Sequence, residues 1–414
     1  MDFHSAKTLI KNTFDLPFDE GRFRTFVINL LNEIDERKSF NYLTGTYIRH
    51  SYKPHIAKYR RLGTYTDPNG EKIDLLIVKL KNDWALERSR SMLRNFTADY
   101  LQNRGKKDAA LVAYYTNNPD DWRFSFIRME YKREKTEKGT YKIKKEITPA
   151  RRYSFRVGKN EPNHTAQAQL VGILADDNQN PTLSELEKAF SVEAVTKQFY
   201  KDYRNLFENL WHEIDDILLK DTKIASEFKT KSIDTANFAK KLMGQIVFLY
   251  FLQKKGWLGI TRDQKGDYGP WGSGPKDFMR RLFDKSFVQY KNFFNDVLEY
   301  LFYEALATER PGDVYSRFNC KIPFLNGGLF EPMNDYNWQE TDICIDNDIF
   351  KEVFDTFDRY NFTVREDEPL EKEVAVDPEM LGKVFENLLP ENLRKGKGAY
   401  YTPRPIVHYM CQES

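Results

Sequence analysis

The end of the chain carries residue types suited to holding a ligand. It reads VDPEMLGKVFENLLPENLRKGKGAYYTPRPIVHYMCQES. A predicted helix over 378–389 runs into a glycine-rich loop (Gly396, Gly398), then Tyr400-Tyr401-Thr402-Pro403 and an apolar helix start. Thr402 suits an N-cap and Pro403 the first helical position, which leaves free backbone N–H groups beside the glycines. Such amides can hold an anionic or zwitterionic group, although an ordinary capped helix has the same spelling. Arginines form a second candidate set. Arg60, Arg61, Arg88, Arg90, Arg94, Arg151 and Arg152 could contact phosphates, or could equally form a solvated basic face. The histidines (His4, His50, His55, His164, His212, His408) never approach ligand spacing with one another, so no metal–histidine site is expected. Three scattered cysteines (Cys320, Cys344, Cys411) argue against a disulfide scaffold and against a zinc cluster. The reducing cytoplasm is the expected compartment.

These residues sit in a chain of 414, long enough for two or three domains. With 31 Phe, 24 Tyr and 6 Trp there is ample material for cores, which excludes a disordered chain. The longest uninterrupted apolar run, Ile246 to Leu252, falls far short of the roughly 20 residues of a membrane span. No signal-peptide pattern opens the sequence, and no membrane partner is expected. The net charge of +2 conceals an asymmetry. Residues 1–160 hold 33 Lys+Arg against 20 Asp+Glu, and the remainder 31 against 42. A basic first third is expected to meet a polyanion, with double-stranded DNA the foremost partner.

The elements that must position these groups are legible in outline. From Asp19 to Lys38, Phe23, Phe26, Val27, Leu30, Leu31 and Ile34 recur at helical spacing. Three extended segments follow, over 44–51, 55–66 and 71–81, the last two joined by DPNG, a strong turn signal. A helix over 84–103, strands over 108–116 and 122–132, and late strands in TYKIKKEIT and RRYSFRV complete a predicted mixed α/β sheet. Texture turns polar around 158–180, and a largely helical region runs to about residue 309, with further helix over 348–360. The expected division is therefore a basic α/β domain over 1–160, an α-helical connector over 161–365, and a third segment over 366–414.

LGKVFENLLP…KGAYYTPRPIV resembles the opening of the methyltransferase domain of amino-methylating DNA methyltransferases, in particular those fused into type IIG restriction–modification enzymes. FLYFLQKKGWLG (248–259) and FLNGGLFEP (324–332) are similar to the helical spacer of that family. The resemblance implies that Gly398, Tyr401, Thr402 and Pro403 form one wall of an S-adenosylmethionine pocket. The family's cofactor glycine loop and its Asn-Pro-Pro-aromatic tetrapeptide have no counterpart in these 414 residues. S-adenosylmethionine is thus expected to act only in a full-length parent, whose remaining methyltransferase and target-recognition region become partners. For the N-terminal domain the resemblance implies a PD-(D/E)xK nuclease-like fold, in which two carboxylates hold Mg²⁺ and a lysine orients water. Two placements compete. By topology the site falls on the hairpin 55–81 with Asp67, Asp74, Lys79 and Lys81, although Lys79 stands where Glu belongs and Asp74 has the opposite strand parity. By letter it falls on Asp120, Glu130 and Lys132, with Asp120 and Glu130 as the Mg²⁺ ligands. The implied protein binds duplex DNA and either cleaves it with Mg²⁺ or, alternatively, holds it as a degenerate, non-catalytic module of a defence system.

Overall fold

The computed structural model of the chain describes residues 1–130, 133–135, 141–143, 150–325, 328–363, 370–376, 378 and 382, with the side chains of 87–88, 133–135 and 141–143 outside that description. The chain forms two compact units. The first comprises Met1–Val195, Arg359–Asn361 and residues 370–375, and the second Thr196–Asp358 with Phe362, Thr363 and Val376.

The first unit opens with α1 (Phe3–Phe14) and α2 (Glu20–Leu31), each started by an aspartate. Asp2 and Asp19 accept the backbone N–H of Ser5 and Arg22, satisfying a donor that a helix start otherwise leaves unpaired. Helix α2 stops short of the predicted Lys38 because Asn32 adopts a positive φ of 61°. Then come β1 (Phe40–Leu43), β2 (Ile56–Thr66), β3 (Lys72–Leu80), α3 (Ala85–Arg88), α4 (Arg90–Asn103), β4 (Ala109–Tyr115) and β5 (Asp121–Arg128). A short hairpin, β6 (Arg133–Lys135) with β7 (Tyr141–Ile143), precedes β8 (Arg151–Gly158). Helices α5 (His164–Leu174) and α6 (Leu183–Ala189) close the continuous part.

The sheet has seven strands in the order β1-β2-β3-β4-β5-β8-β11, where β11 is Glu371–Glu373. The β3–β4 and β8–β11 pairs are parallel and the rest antiparallel, so the sheet is mixed as expected. The predicted strand over 44–51 does not form. That stretch makes two short 3-10 turns, starting where Gly45 takes a φ of 59°, and the edge strand lies upstream at β1.

Strand alternation divides the sheet into two chemically different faces. Trp122, Phe124 and Phe126 of β5 meet Phe14, Phe18, Phe23, Phe26 and Phe190 in an aromatic core. On the other face Leu76, Val78, Val112, Tyr114 and Ile127 pack under Leu93, Phe96 and Tyr100 of α4. That second face also carries the polar side chains considered below.

The second unit is mainly helical: α7 (Val192–Lys220, entering from the first unit), α8 (Thr222–Thr230), α9 (Thr235–Lys255), α10 (Phe278–Phe283) and α11 (Asn347–Phe357). Two π-helical segments, Phe294–Leu298 and Tyr300–Leu306, and a two-residue ladder of β9 (Val314–Tyr315) with β10 (Cys320–Lys321) complete it. Its core is aromatic, with Tyr203 stacked on Phe357 and Phe199 and Tyr250 against Phe362. Among the described residues no helix is long and apolar enough to cross a membrane.

Gly158, at the end of β8, has a φ of 126°, and a Cβ there would lie 2.0 Å from the Asp120 carbonyl oxygen. Gly158→Ala is therefore expected to destabilise the protein by about 2–3 kcal/mol, the scale of an enforced backbone strain. Thermal denaturation beside the wild type checks this.

Candidate functional site

Two polar clusters lie on the α4 face of the sheet. The first is built where β11 joins the edge. Glu371 and Glu373 are two residues apart, so both point to the same face, and both are buried, with Lys372 between them exposed. Four guanidinium groups meet them. Arg152 lies 3.4 Å and Arg94 3.5 Å from Glu371, while Arg123 lies 3.3 Å from Glu373, which Arg90 also binds. Arg123 and Arg152 are each only 2% exposed. They are held further by Leu86 O (2.8 Å from Arg123 Nε) and by Ser125 Oγ (3.3 Å from Arg152 Nε). Burial by itself would raise the Glu373 pKa, but Arg123, Arg90 and Arg156 outweigh it and bring the carboxyl down to about 2. Arg123 moves down to about 10 because burial outweighs the attraction of Glu373, so the partners' shifts point differently. Near neutral pH the carboxylate's direction governs, since both partners are charged.

The second cluster occupies the hairpin position. Asp74 is fully buried on β3, and its oxygens are taken. Oδ1 accepts from Thr64 Oγ1 at 2.7 Å, Oδ2 from Tyr100 OH at 2.8 Å and Arg61 Nη1 at 3.1 Å, and Lys107 Nζ stands 3.8 Å away. Burial lowers the Lys107 pKa, against the pull of Asp74, and Lys38, Lys72 and Arg61 add to the lowering. The aspartate is thus a counter-ion beneath a surplus of cations.

The candidate residues are distributed as follows. Asp74 does not meet Lys79 or Lys81. Pairing of β3 with β4 runs unbroken from Ile73↔Ala109 to Lys79↔Tyr115, so no bulge rotates them together, and Lys79 stands near the Tyr115 ring. Asp67 shapes the DPNG turn, accepting from the amides of Asn69, Glu71 and Leu183 at 2.8–2.9 Å. Asp120 and Glu130 are not brought together either. One lies just before β5 and the other beyond its far end, roughly 25–30 Å apart for an extended strand. Glu130 pairs with Arg151 at 2.6 Å. Lys132, Gly398, Tyr401, Thr402 and Pro403 lie outside the described residues, as does the Arg88 side chain. Of the arginines expected at phosphates, Arg60 binds Glu20 and Arg61 binds Asp74, while Arg94 and Arg152 belong to the Glu371 pairing. Arg152 is too buried to reach a phosphate; Arg151 is half exposed.

Among the described residues no three His, Cys, Asp or Glu side chains converge as metal ligands. Mg²⁺ is held by carboxylate oxygens open to it, whereas both oxygens of the buried Asp74 already accept hydrogen bonds, so the hairpin in this arrangement fits the ion poorly. Sequence reading missed Arg123, Lys107, Glu371 and Glu373. The legible signal was the repeated Arg-x-Ser at 123–125 and 152–154, a polar stripe inside two apolar strands that calls for buried counter-charges.

Comparison with known proteins adds one relative. Over 248 residues, 54% of this chain, it is 33% identical to a Methanocaldococcus jannaschii protein that carries the provisional name type II restriction enzyme and methyltransferase. The matched stretch spans 19% of that relative's length. No protein-family model matches the chain, and no solved structure matches it significantly.

Glu373→Gln removes one counter-charge from buried arginines and is expected to cost about 3–5 kcal/mol. Because the folded carboxyl has the lower pKa, its contribution is present above the usual pKa of 4.5 and is lost as pH falls toward 2. The wild type should therefore lose more stability than Glu373→Gln between pH 5 and pH 3, as measured by urea unfolding across pH.

Proposed function

We propose that this chain is the front part of a restriction–modification protein in which the N-terminal α/β unit is a nuclease-like fold that holds duplex DNA without cutting it. The observation that carries the reading is the engaged state of Asp74: the acid at the hairpin position is buried and bound by Thr64, Arg61 and Tyr100 with Lys107 beside it, and among the described residues no three potential metal ligands converge there. The restriction–modification context rests on the relative's name and on the resemblance of the terminal motif, and the type IIG arrangement is part of the proposal. Methyl transfer belongs to the parent protein in this reading, with Gly398, Tyr401, Thr402 and Pro403 as one wall of its S-adenosylmethionine pocket.

DNA would be held by the basic edge at β1 and β2. Arg104 and Arg61 flank the Phe40 ring at 5.5 and 5.2 Å, and Lys58 stands 3.8 Å over Tyr42. Arg37, Lys38, Lys72, Arg104 and Lys106 are exposed. Contacts of this kind position a duplex through its phosphates and carry little sequence information.

With the full chain and supercoiled plasmid, no nicking is expected with Mg²⁺ or Mn²⁺, while duplex binding should weaken steeply with salt. If about six phosphates are contacted, the loss approaches a thousandfold between 50 and 200 mM salt. Exchanging Arg104 and Lys106 for glutamate should weaken binding to unrelated duplexes alike. Metal-dependent nicking that disappears in Asp74→Asn would overturn the non-cleaving reading, and salt-independent binding would overturn the phosphate-held one.

A further inference from the structure

The second unit contains a cleft of about 580 Å³ that the reading above does not use. Its back wall is one stripe of α9. That helix starts at Asp234, whose side chain accepts from Asn237 N, and ends at Gly256, whose φ of 69° closes it in the left-handed conformation. Nearly every other face of α9 is buried, including Phe238, Leu242, Ile246, Leu249 and Tyr250. The uncovered stripe carries Lys240, Lys241, Gly244 and Phe248. A glycine in mid-helix costs about 1 kcal/mol against alanine, and here it keeps the wall open.

The facing wall carries Leu329, within the FLNGGLFEP motif, and Met333, which follows it. It is tied to α9 by Gln245 Nε2 donating to Leu329 O at 2.8 Å and by Lys241 Nζ donating to Glu331 O at 2.6 Å and Gly328 O at 3.2 Å. Asn334 Nδ2 anchors the loop's far end on Lys231 O at 2.9 Å. The cleft is therefore preformed. Its walls combine two exposed apolar side chains, Phe248 at 37% and Leu329 at 39%, with two lysines. Lys241 is engaged by the loop carbonyls, whereas Lys240 lines the cleft half-buried, and burial lowers its pKa; Asp234, which also lines the cleft, is engaged as the N-cap of α9. A half-buried ammonium beside an apolar wall is an arrangement that an anion on a flat apolar body would complete.

We propose that this cleft binds a small organic anion of the mononucleotide class, its phosphate on Lys240 and its ring between Phe248 and Leu329. Both halves of the ligand are needed, since the lysine supplies charge and the two side chains supply contact area.

The test is calorimetry on the full 414-residue chain with adenosine 5′-monophosphate as the probe, and with adenosine and inorganic phosphate separately. Saturable binding at one site is expected, with each half alone binding at least about tenfold more weakly. Lys240→Gln should weaken the nucleotide about tenfold, the loss of one charge-assisted contact. Leu329→Glu, on an exposed loop residue, should abolish binding by placing a like charge in the cleft. Circular dichroism melting verifies that each variant is folded. Absence of saturable nucleotide binding, or binding unchanged in folded Lys240→Gln and Leu329→Glu, would overturn the proposal.

Discussion

Burying a carboxylate in a sheet requires that its charge be met on the spot, and this constraint shapes the whole first unit. Four carboxylates are buried there among the described residues: Asp67, Asp74, Glu371 and Glu373. Asp67 is met by backbone amides, Asp74 by a hydroxyl, a phenol and cations, and the two glutamates by four arginines. The same fact has two consequences. It fixes the sheet, because Arg123 on β5 and Arg152 on β8 cannot stay buried without β11. It also ties the acids to protein donors and cations, with which a metal ion would have to compete.

The second consequence carries the functional reading. A nuclease of the type implied by the resemblance needs two acids and a lysine on one surface. The hairpin here places Asp74 under α4 and Lys79 on the opposite face, and the letter pattern at Asp120 and Glu130 is stretched along one continuous strand. What the hairpin region does hold is a surplus of cations around one neutralised acid, which suits contact with phosphates better than their hydrolysis.

Much of this was legible in the residues and some was not, for physical reasons. The β2–β3 hairpin, α4 and β4 follow from alternation, helical period and the DPNG turn, all local signals. The edge strand at Phe40–Leu43 was missed because it is four residues long with a bulged register against β2, while the β-rich letters of 44–51 yielded to a glycine with positive φ. Strand β11 was invisible for a different reason. Its spelling, Glu-Lys-Glu, reads as a solvated charge run, and its partner Arg152 lies 219 residues earlier, so only the fold discloses that both glutamates face inward. A short acid-x-lysine pattern such as the one at 120–132 says nothing about whether a turn or a straight strand separates its members, and β5 runs straight between Asp120 and Glu130.

The central claim, that the Asp74 carboxylate on the hairpin is held by protein partners and takes no metal ion, is tested most directly by metal binding to the intact chain. Calorimetric titration with Mn²⁺ in the absence of DNA should show no stoichiometric site that depends on Asp74, giving the same isotherm for the wild type and Asp74→Asn. A single bound ion in the wild type that is lost in Asp74→Asn would contradict the account and restore the hairpin as a metal-dependent nuclease centre.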